Sequence, residues 1–173
     1  MGKPIVIVYS TVDGHTLKIC RVLADCLIEK HFDVQMFSID QFKKQISGFS
    51  CVIIGASVRY GKHHRLIREF ILKNREELRT VKTAFFSVNL VARKEEKSRP
   101  ENNPYLIRFL KEIDWKPDIA GVFAGQLDYS RYSFLDKLMI KLIMKLTHGP
   151  TKTKSPIVYT NWELVQQFAE KLG

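Results

Sequence analysis

Short unbroken apolar runs alternate along this chain with longer stretches of helical period. Residues 3–9 (KPIVIVY) are apolar at almost every position, the pattern of a strand covered on both faces. Residues 16–30 carry Leu17, Val22, Leu23, Cys26 and Leu27 at helical spacing and predict a helix with that face inward. A weaker strand follows at 33–38, a third at 51–56 (CVIIGA), a long helix at 66–79 and a fourth strand at 83–88 (TAFFSV). A helix at 104–113 opens with proline in its first turn, and 118–125 (DIAGVFAG) makes a fifth strand. Residues 161–172 close the chain as a helix, with Thr160 and Glu163 spaced as a capping box.

Strands that alternate with helices and are apolar throughout predict an α/β fold, a parallel sheet with helices on both faces. Five strands in 173 residues suit the flavodoxin-like order 2-1-3-4-5, in one three-layer domain over 1–173. The alternation breaks once, at about 126–156. A structureless loop of that length is unusual in a compact domain, and this one holds its own helix near 134–146. It reads as an insertion with a function.

An apolar fraction of 45% is that of an ordinary globular protein and excludes a disordered chain. No apolar run reaches the roughly 18 residues needed to cross a bilayer, and the N-terminus lacks the features of a secretory signal. The cytoplasm, or the cytoplasmic face of a membrane, is the expected location. Lys and Arg number 28 against 18 Asp and Glu, a net charge of +10 that favours anionic partners: nucleic acid, anionic lipid or a polycarboxylate substrate. No aromatics interleave with Lys and Arg as on a nucleic-acid surface, so no nucleic acid is expected. Cys20, Cys26 and Cys51 lack metal-ligand spacing and sit in apolar runs, so they are expected as reduced core residues, with no metal site.

In open α/β sheets, ligands bind beyond the carboxyl ends of the strands near the topological switch point. The first strand ends in Ser10-Thr11-Val12-Asp13-Gly14-His15-Thr16 and runs straight into a helix. Backbone N–H groups at a helix N-terminus, with Ser and Thr hydroxyls, hold a phosphate without Lys or Arg, and Gly14 permits the tight turn. Neither a Walker loop nor G-x-G-x-x-G is present. The loop resembles the flavodoxin phosphate loop, with Thr11, Gly14, His15 and Thr16 where that family places its phosphate contacts. Val12 and Asp13 depart from its hydroxyl pattern. A carboxylate facing a phosphate is unfavourable, so Asp13 is expected to point away or to bond the loop's own backbone. A tight turn without ligand is the competing reading.

Two further strand ends neighbour the first in such a sheet. Ser57-Val58-Arg59-Tyr60-Gly61 leads into Lys62, His63 and His64, and Ser87-Val88-Asn89-Leu90-Val91-Ala92 leads into Arg93 and Lys94. The three loops together supply a phosphate site and two walls for a flavin ring, as FMN needs, with Tyr60 the natural stacking residue. The second of these loops lacks an aromatic and offers Arg93 and Lys94 instead, a ring face left open to a large anion. Arg59, Lys62, His63 and His64 add positive potential opposite. A solvated basic loop is the alternative.

Residues 54–61 (IGASVRYG), 86–94 (FSVNLVARK), 124–131 and 137–145 (KLMIKLIMK) resemble the bacterial menaquinone-dependent protoporphyrinogen IX dehydrogenases, a likeness over essentially the whole chain. The resemblance implies non-covalent FMN and a peripheral position at the cytoplasmic face of the inner membrane. It implies transfer of electrons from protoporphyrinogen IX to a membrane quinone (menaquinone or ubiquinone), the penultimate step of haem biosynthesis. It identifies no catalytic acid or base. Two propionates on the substrate suit a basic rim of Arg93, Lys94, His63 and Arg131, and positive charge beside the ring favours its anionic reduced form.

Within 134–146, Lys137, Lys141 and Lys145 form one drifting column on a helix that is otherwise mostly apolar. Such a helix rises only about 20 Å against a bilayer core of about 30 Å. It is expected in the interface of an anionic membrane, or in a homo-oligomer contact, with lysine stems snorkelling. Packing on the protein's own core is the competing fate. Tyr129, Arg131 and Tyr132 are placed to fold back over the flavin. A flavodoxin-type electron carrier, which wants an acidic docking rim, and an NAD(P)H:quinone reductase of the same fold remain the alternatives.

Overall fold

Residues 2–172 are described by a computed structural model, in which the apolar runs become the inner strands of a parallel sheet. The first half of the chain forms β1 (Ile5–Ser10), α1 (His15–Glu29), β2 (Val34–Ser38), β3 (Cys51–Arg59), β4 (Lys62–His63), α2 (Arg65–Lys73) and α3 (Arg75–Leu78). The second half forms β5 (Lys82–Asn89), α4 (Pro104–Glu112), β6 (Ile119–Ala124), β7 (Gln126–Leu127), α5 (Phe134–Leu146), β8 (Ile157–Val158) and α6 (Trp162–Glu170). The sheet order is β2-β1-β3-β5-β6, all pairs parallel, which is 2-1-3-4-5 for the five long strands.

Continuous apolar strands serve two cores because successive side chains point to opposite faces. Ile5, Ile7, Cys51, Ile53, Ala84 and Phe86 pack with Ile19, Leu23 and Leu27 of α1 and with Phe168 of α6. Val6, Val8, Val52, Ile54 and Phe85 pack with Ile67 and Ile71 of α2 and with Leu106 and Phe109 of α4. The sheet is tight at Gly55, where a Cβ would lie 2.3 Å from Cζ of the fully buried Phe86. Gly55→Ala is therefore expected to destabilise by about 1–3 kcal/mol through overpacking, read as a lower urea midpoint. An unchanged midpoint would mean that Phe86 has room to move.

Several local expectations are corrected. The helix predicted over 66–79 is two, α2 and α3, broken at Asn74, whose Nδ2 donates to the Phe70 carbonyl at 2.8 Å and so competes with the helical ladder. The last helix is capped by Asn161, which accepts from the Glu163 and Leu164 amides, and not by Thr160. In α1 the most buried positions include Ile19, Cys20 and Ala24, while Leu17, Val22 and Cys26 are half-buried. Cys20 and Cys51 are buried free thiols, and burial pushes the Cys51 thiol up to about 11. The β3–β4 hairpin went unpredicted. Its two-residue turn is Tyr60-Gly61, both at positive φ (51° and 72°), between paired Arg59 and Lys62.

The 126–156 stretch is closed at its base by β7 and β8, which pair antiparallel. Between them a 3-10 turn at Tyr129–Arg131 leads into α5. Ile140 and Met144 of α5 are buried against Leu127, Tyr129 and Tyr132, a third small core. Among the described residues, no helix is long and apolar enough to cross a membrane.

Candidate functional site

The loop from Ser10 to Thr16 leads into a helix that nothing caps. Gly14, at φ 79°, is the N-cap of α1 and no side chain bonds its first amides, whereas His64, Asn103, Ser133 and Asn161 cap α2, α4, α5 and α6. Among the described residues, the buried side-chain polar atoms without a partner are Ser10 Oγ, Thr11 Oγ1, His15 Nδ1, Thr16 Oγ1 and Arg59 Nη1. Each unmade buried hydrogen bond costs about 1–3 kcal/mol. Four of these five atoms lie within seven residues of one loop. Such a cluster at a free helix N-terminus fits a phosphate-sized anion, because each hydroxyl can rotate to donate.

An open cleft adjoins the loop, lined by residues from several elements at the carboxyl ends of the strands. Thr11, Val12, Asp13, His15 and Thr16 line it, as do Ser57, Val58, Arg59, Tyr60 and Gly61 after β3, and Val88, Asn89, Leu90 and Val91 after β5. The three strand ends therefore converge. Ser10, Gly14, Ser87 and Ala92 are not among the residues that line it. Ser87 is fully buried and bonded to His63 Nε2 and to Asn89 Nδ2, and the Ala92 amide donates to Asn89 Oδ1. Asn89 also exchanges hydrogen bonds with the buried Asn103, so its amide shapes the 90–93 turn.

Sequence reasoning missed residues that α4, the insertion and its flank bring in. Tyr105, Gly125, Gln126, Ile140 and Ile143 line the cleft together with Tyr132. Side chains of the insertion thus wall part of the cleft. Tyr129 does not reach the cleft. It is buried beneath α5 and its hydroxyl donates to the Pro150 carbonyl at 2.8 Å.

A polar clasp joins the 10–16 loop to α5. Arg59 Nη2 donates to both carboxylate oxygens of Asp13 at 3.0 and 2.9 Å, so a side chain from the β3 end, and not the loop's own backbone, engages that carboxylate. Arg59 Nη1 stands 3.3 Å from Asp136 Oδ1, an ion contact off the hydrogen-bond line, and the guanidinium lies over the Tyr132 ring. The Tyr60 hydroxyl also donates to Asp136. That bond, with one from Ser133 and the Arg59 charge, holds the Asp136 carboxyl below the usual range. Arg131 Nη1 donates to the Asp13 carbonyl at 2.8 Å. Asp136, three residues after its capping partner Ser133, is the cue that sequence reasoning overlooked beside the lysines.

The clasp and its neighbours engage much of the expected basic rim with partners inside the protein. Arg93 turns away from the cleft: Nη1 donates to the Leu90 carbonyl and Nη2 to Thr147 Oγ1 at 2.7 Å, tying the 90–93 turn to the far end of α5. Lys94, half-buried, does not line the cleft either. His63 packs on Phe109 with ring centroids 4.5 Å apart, and burial, with the Arg108 charge, pushes its pKa down to about 4. It is neutral at pH 7 and adds no positive potential. The unfolded chain takes up this proton below about 6.5 while the folded one resists until about 4. The His63 contribution to stability is therefore complete above pH 6.5 and lost as pH falls toward 4, with a slope of at most about 1.4 kcal/mol per pH unit. Urea unfolding across that range should show the decline, and His63→Gln should flatten it. An identical slope in the variant would place the titration elsewhere.

The lysine column of α5 flanks the buried face, with Lys141 and Lys145 exposed and Lys137 half-buried. Away from the core the helix presents Phe134, Leu135, Leu138, Met139, Leu142 and Leu146, all exposed, Phe134 at 82%. Core packing and an unpartnered apolar face therefore coexist on one helix.

A family profile described as a flavodoxin domain matches residues 6–154. Protoporphyrinogen IX dehydrogenase (quinone) of Escherichia coli strain K12 is 42% identical to this chain over 168 residues, covering 96% of it and 93% of that protein. The protein of the same name from Leishmania major is 40% identical over 164 residues, 93% of this chain and 71% of its own length. Among solved structures, the two-electron reduced flavodoxin of Megasphaera elsdenii matches with a TM-score of 0.55 at 9% identity, covering 96% of this chain and 98% of that one, a likeness of fold alone.

Proposed function

Because the chain belongs to the protoporphyrinogen IX dehydrogenase (quinone) family of oxidoreductases and carries a flavodoxin domain, we propose that it binds FMN and oxidises protoporphyrinogen IX, delivering the electrons to a membrane quinone. The observation that carries the cofactor reading is the cluster of unpartnered buried atoms in the 10–16 loop at an uncapped helix N-terminus. FMN, when bound, supplies a two-electron acceptor. The hydroxyls of Ser10, Thr11 and Thr16 and the first amides of α1 would hold its phosphate. Ser57, Val58, Tyr60 and Gly61 on one side, and Val88, Asn89, Leu90 and Val91 on the other, would enclose the ring. Tyr132, Ile140 and Ile143 would shield it from water.

The Arg59 clasp would keep the Asp13 carboxylate off the phosphate by engaging both its oxygens. Of the residues expected to meet the propionates, Arg93 and His63 are engaged elsewhere, while Arg131 keeps a half-exposed guanidinium beside the loop. We assign the outer ridge of α5, with its lysines, to an anionic bilayer at the cytoplasmic face of the membrane, where a lipid-soluble quinone is reached. The test is turnover by the purified protein. Protoporphyrin IX fluorescence should grow only when FMN, protoporphyrinogen IX and a quinone are all present, and flavin released by heat should run as FMN. FAD in the released fraction, or turnover that needs a pyridine nucleotide, would contradict the reading.

A further inference from the structure

His15 opens α1 within the phosphate loop and is 6% exposed. Its Nε2 lies 2.6 Å from the Thr160 hydroxyl, which lies 2.6 Å from the Ala124 carbonyl. A carbonyl only accepts, so the single hydroxyl proton of Thr160 goes to Ala124. The Thr160 oxygen then accepts, and His15 carries its proton on Nε2. In a neutral ring Nδ1 is therefore a bare lone pair. That atom is buried and unpartnered, in the same loop as the unpartnered hydroxyls of Ser10, Thr11 and Thr16. Hydroxyls can rotate to donate to a phosphate. A bare Nδ1 cannot, and against phosphate oxygens it repels.

We propose that binding of a phosphate monoester in the 10–16 loop takes up a solvent proton at His15 Nδ1, making the imidazolium the counter-charge in a loop that holds no Lys or Arg. This rests on the FMN reading above. The proton comes from a buffer acid, which is left as its conjugate base, and forms one N–H bond at Nδ1. A charge-assisted N–H···O⁻ bond then replaces a repulsion. Burial, and behind it the Lys18 charge one turn along α1, holds the His15 pKa below 6.5 in the empty protein, so the ring starts neutral at pH 8. From β7, the Gln126 side chain stands beside the ring outside hydrogen-bonding geometry and favours the protonated form. From α6, the uncharged Trp162 packs at a centroid distance of 6.0 Å. Asp13, in the same loop, has its carboxylate on Arg59.

A free phosphate monoester loses its second proton near pH 6, so at pH 8 neither partner carries the shared proton beforehand. Calorimetric titration with FMN at pH 8, in buffers of different ionisation enthalpy, counts the protons taken up. The expected result is uptake approaching about one proton per FMN, an affinity that weakens by up to about tenfold per pH unit as pH rises, and no uptake with riboflavin, which lacks the phosphate. His15→Gln should bind FMN without uptake. Thr160→Val frees Nε2, lets the neutral ring move its proton to Nδ1, and should cut the uptake while FMN still binds. Binding of FMN with no uptake, or the same uptake in His15→Gln, overturns the proposal and leaves the FMN reading standing. Failure of the parent to bind FMN at any pH overturns both.

Discussion

Replacing Thr16 by Glu is expected to abolish FMN binding. Thr16 is 1% exposed in the first turn of α1, its hydroxyl unpartnered beside those of Ser10 and Thr11. A glutamate there sets a carboxylate against the phosphate in a site with little water between them. Two unit charges about 4 Å apart at an effective dielectric near 20 repel by about 4 kcal/mol, roughly a thousandfold in affinity. Thr16→Val, which removes only one donor, should cost about ten- to a hundredfold, in line with about 1.5–3 kcal/mol for a hydrogen bond to a charged group. Quenching of FMN fluorescence on titration reads both, and circular dichroism of each variant shows whether the fold survives. A Thr16→Glu protein that is folded and binds FMN as tightly as the parent would remove the phosphate from this loop.

The second large effect is expected on the membrane. Leu135, Leu138 and Leu142 are exposed at 67%, 58% and 51%, so replacing all three by Gln should change the folded state little. Burying such a side chain contributes about 1.5–3 kcal/mol, and each lysine near an anionic surface about 1 kcal/mol. The triple Gln variant should therefore lose vesicle binding by more than a hundredfold. Reversing Lys137, Lys141 and Lys145 to Glu should do so in a salt-sensitive way. FMN binding should persist in both, as should turnover with a water-soluble quinone. Retention on anionic vesicles by both variants would show that the ridge meets something other than lipid. A change of mass in solution on removing the leucines would point to a second copy of this chain.

The fold was legible because its strands are apolar on both faces, a pattern that a parallel sheet under two helical layers explains and a half-exposed sheet does not. The converging loops followed from strand order alone. What stayed hidden was pairing over long separations. The sequence displays Arg59, Arg93 and His63 as a basic cluster, yet each is answered by a partner far away in the chain: Asp13 and Asp136, Thr147, and Ser87 beneath Phe109. A charge count carries no information about such partners, and two of them come from the insertion that sequence reasoning treated as a separate device. The α5 pattern was ambiguous for another reason. A helix apolar on most of its circumference fits a core and a bilayer equally, and only the burial of Ile140 and Met144 on one side settles which face is left over. The Tyr60-Gly61 turn was hidden because tyrosine rarely takes positive φ, so Gly61 alone hinted at a hairpin that Asn-Gly or Asp-Gly would have announced.

Whether this cleft takes electrons from a porphyrinogen is tested most directly by an anaerobic spectrum of the FMN-loaded protein mixed with protoporphyrinogen IX in the absence of any quinone. The oxidised flavin band should bleach in a single turnover, with protoporphyrin IX appearing in matching amount and the band returning when a quinone is added. A flavin band that stays unchanged with the porphyrinogen and bleaches only with NAD(P)H would contradict it.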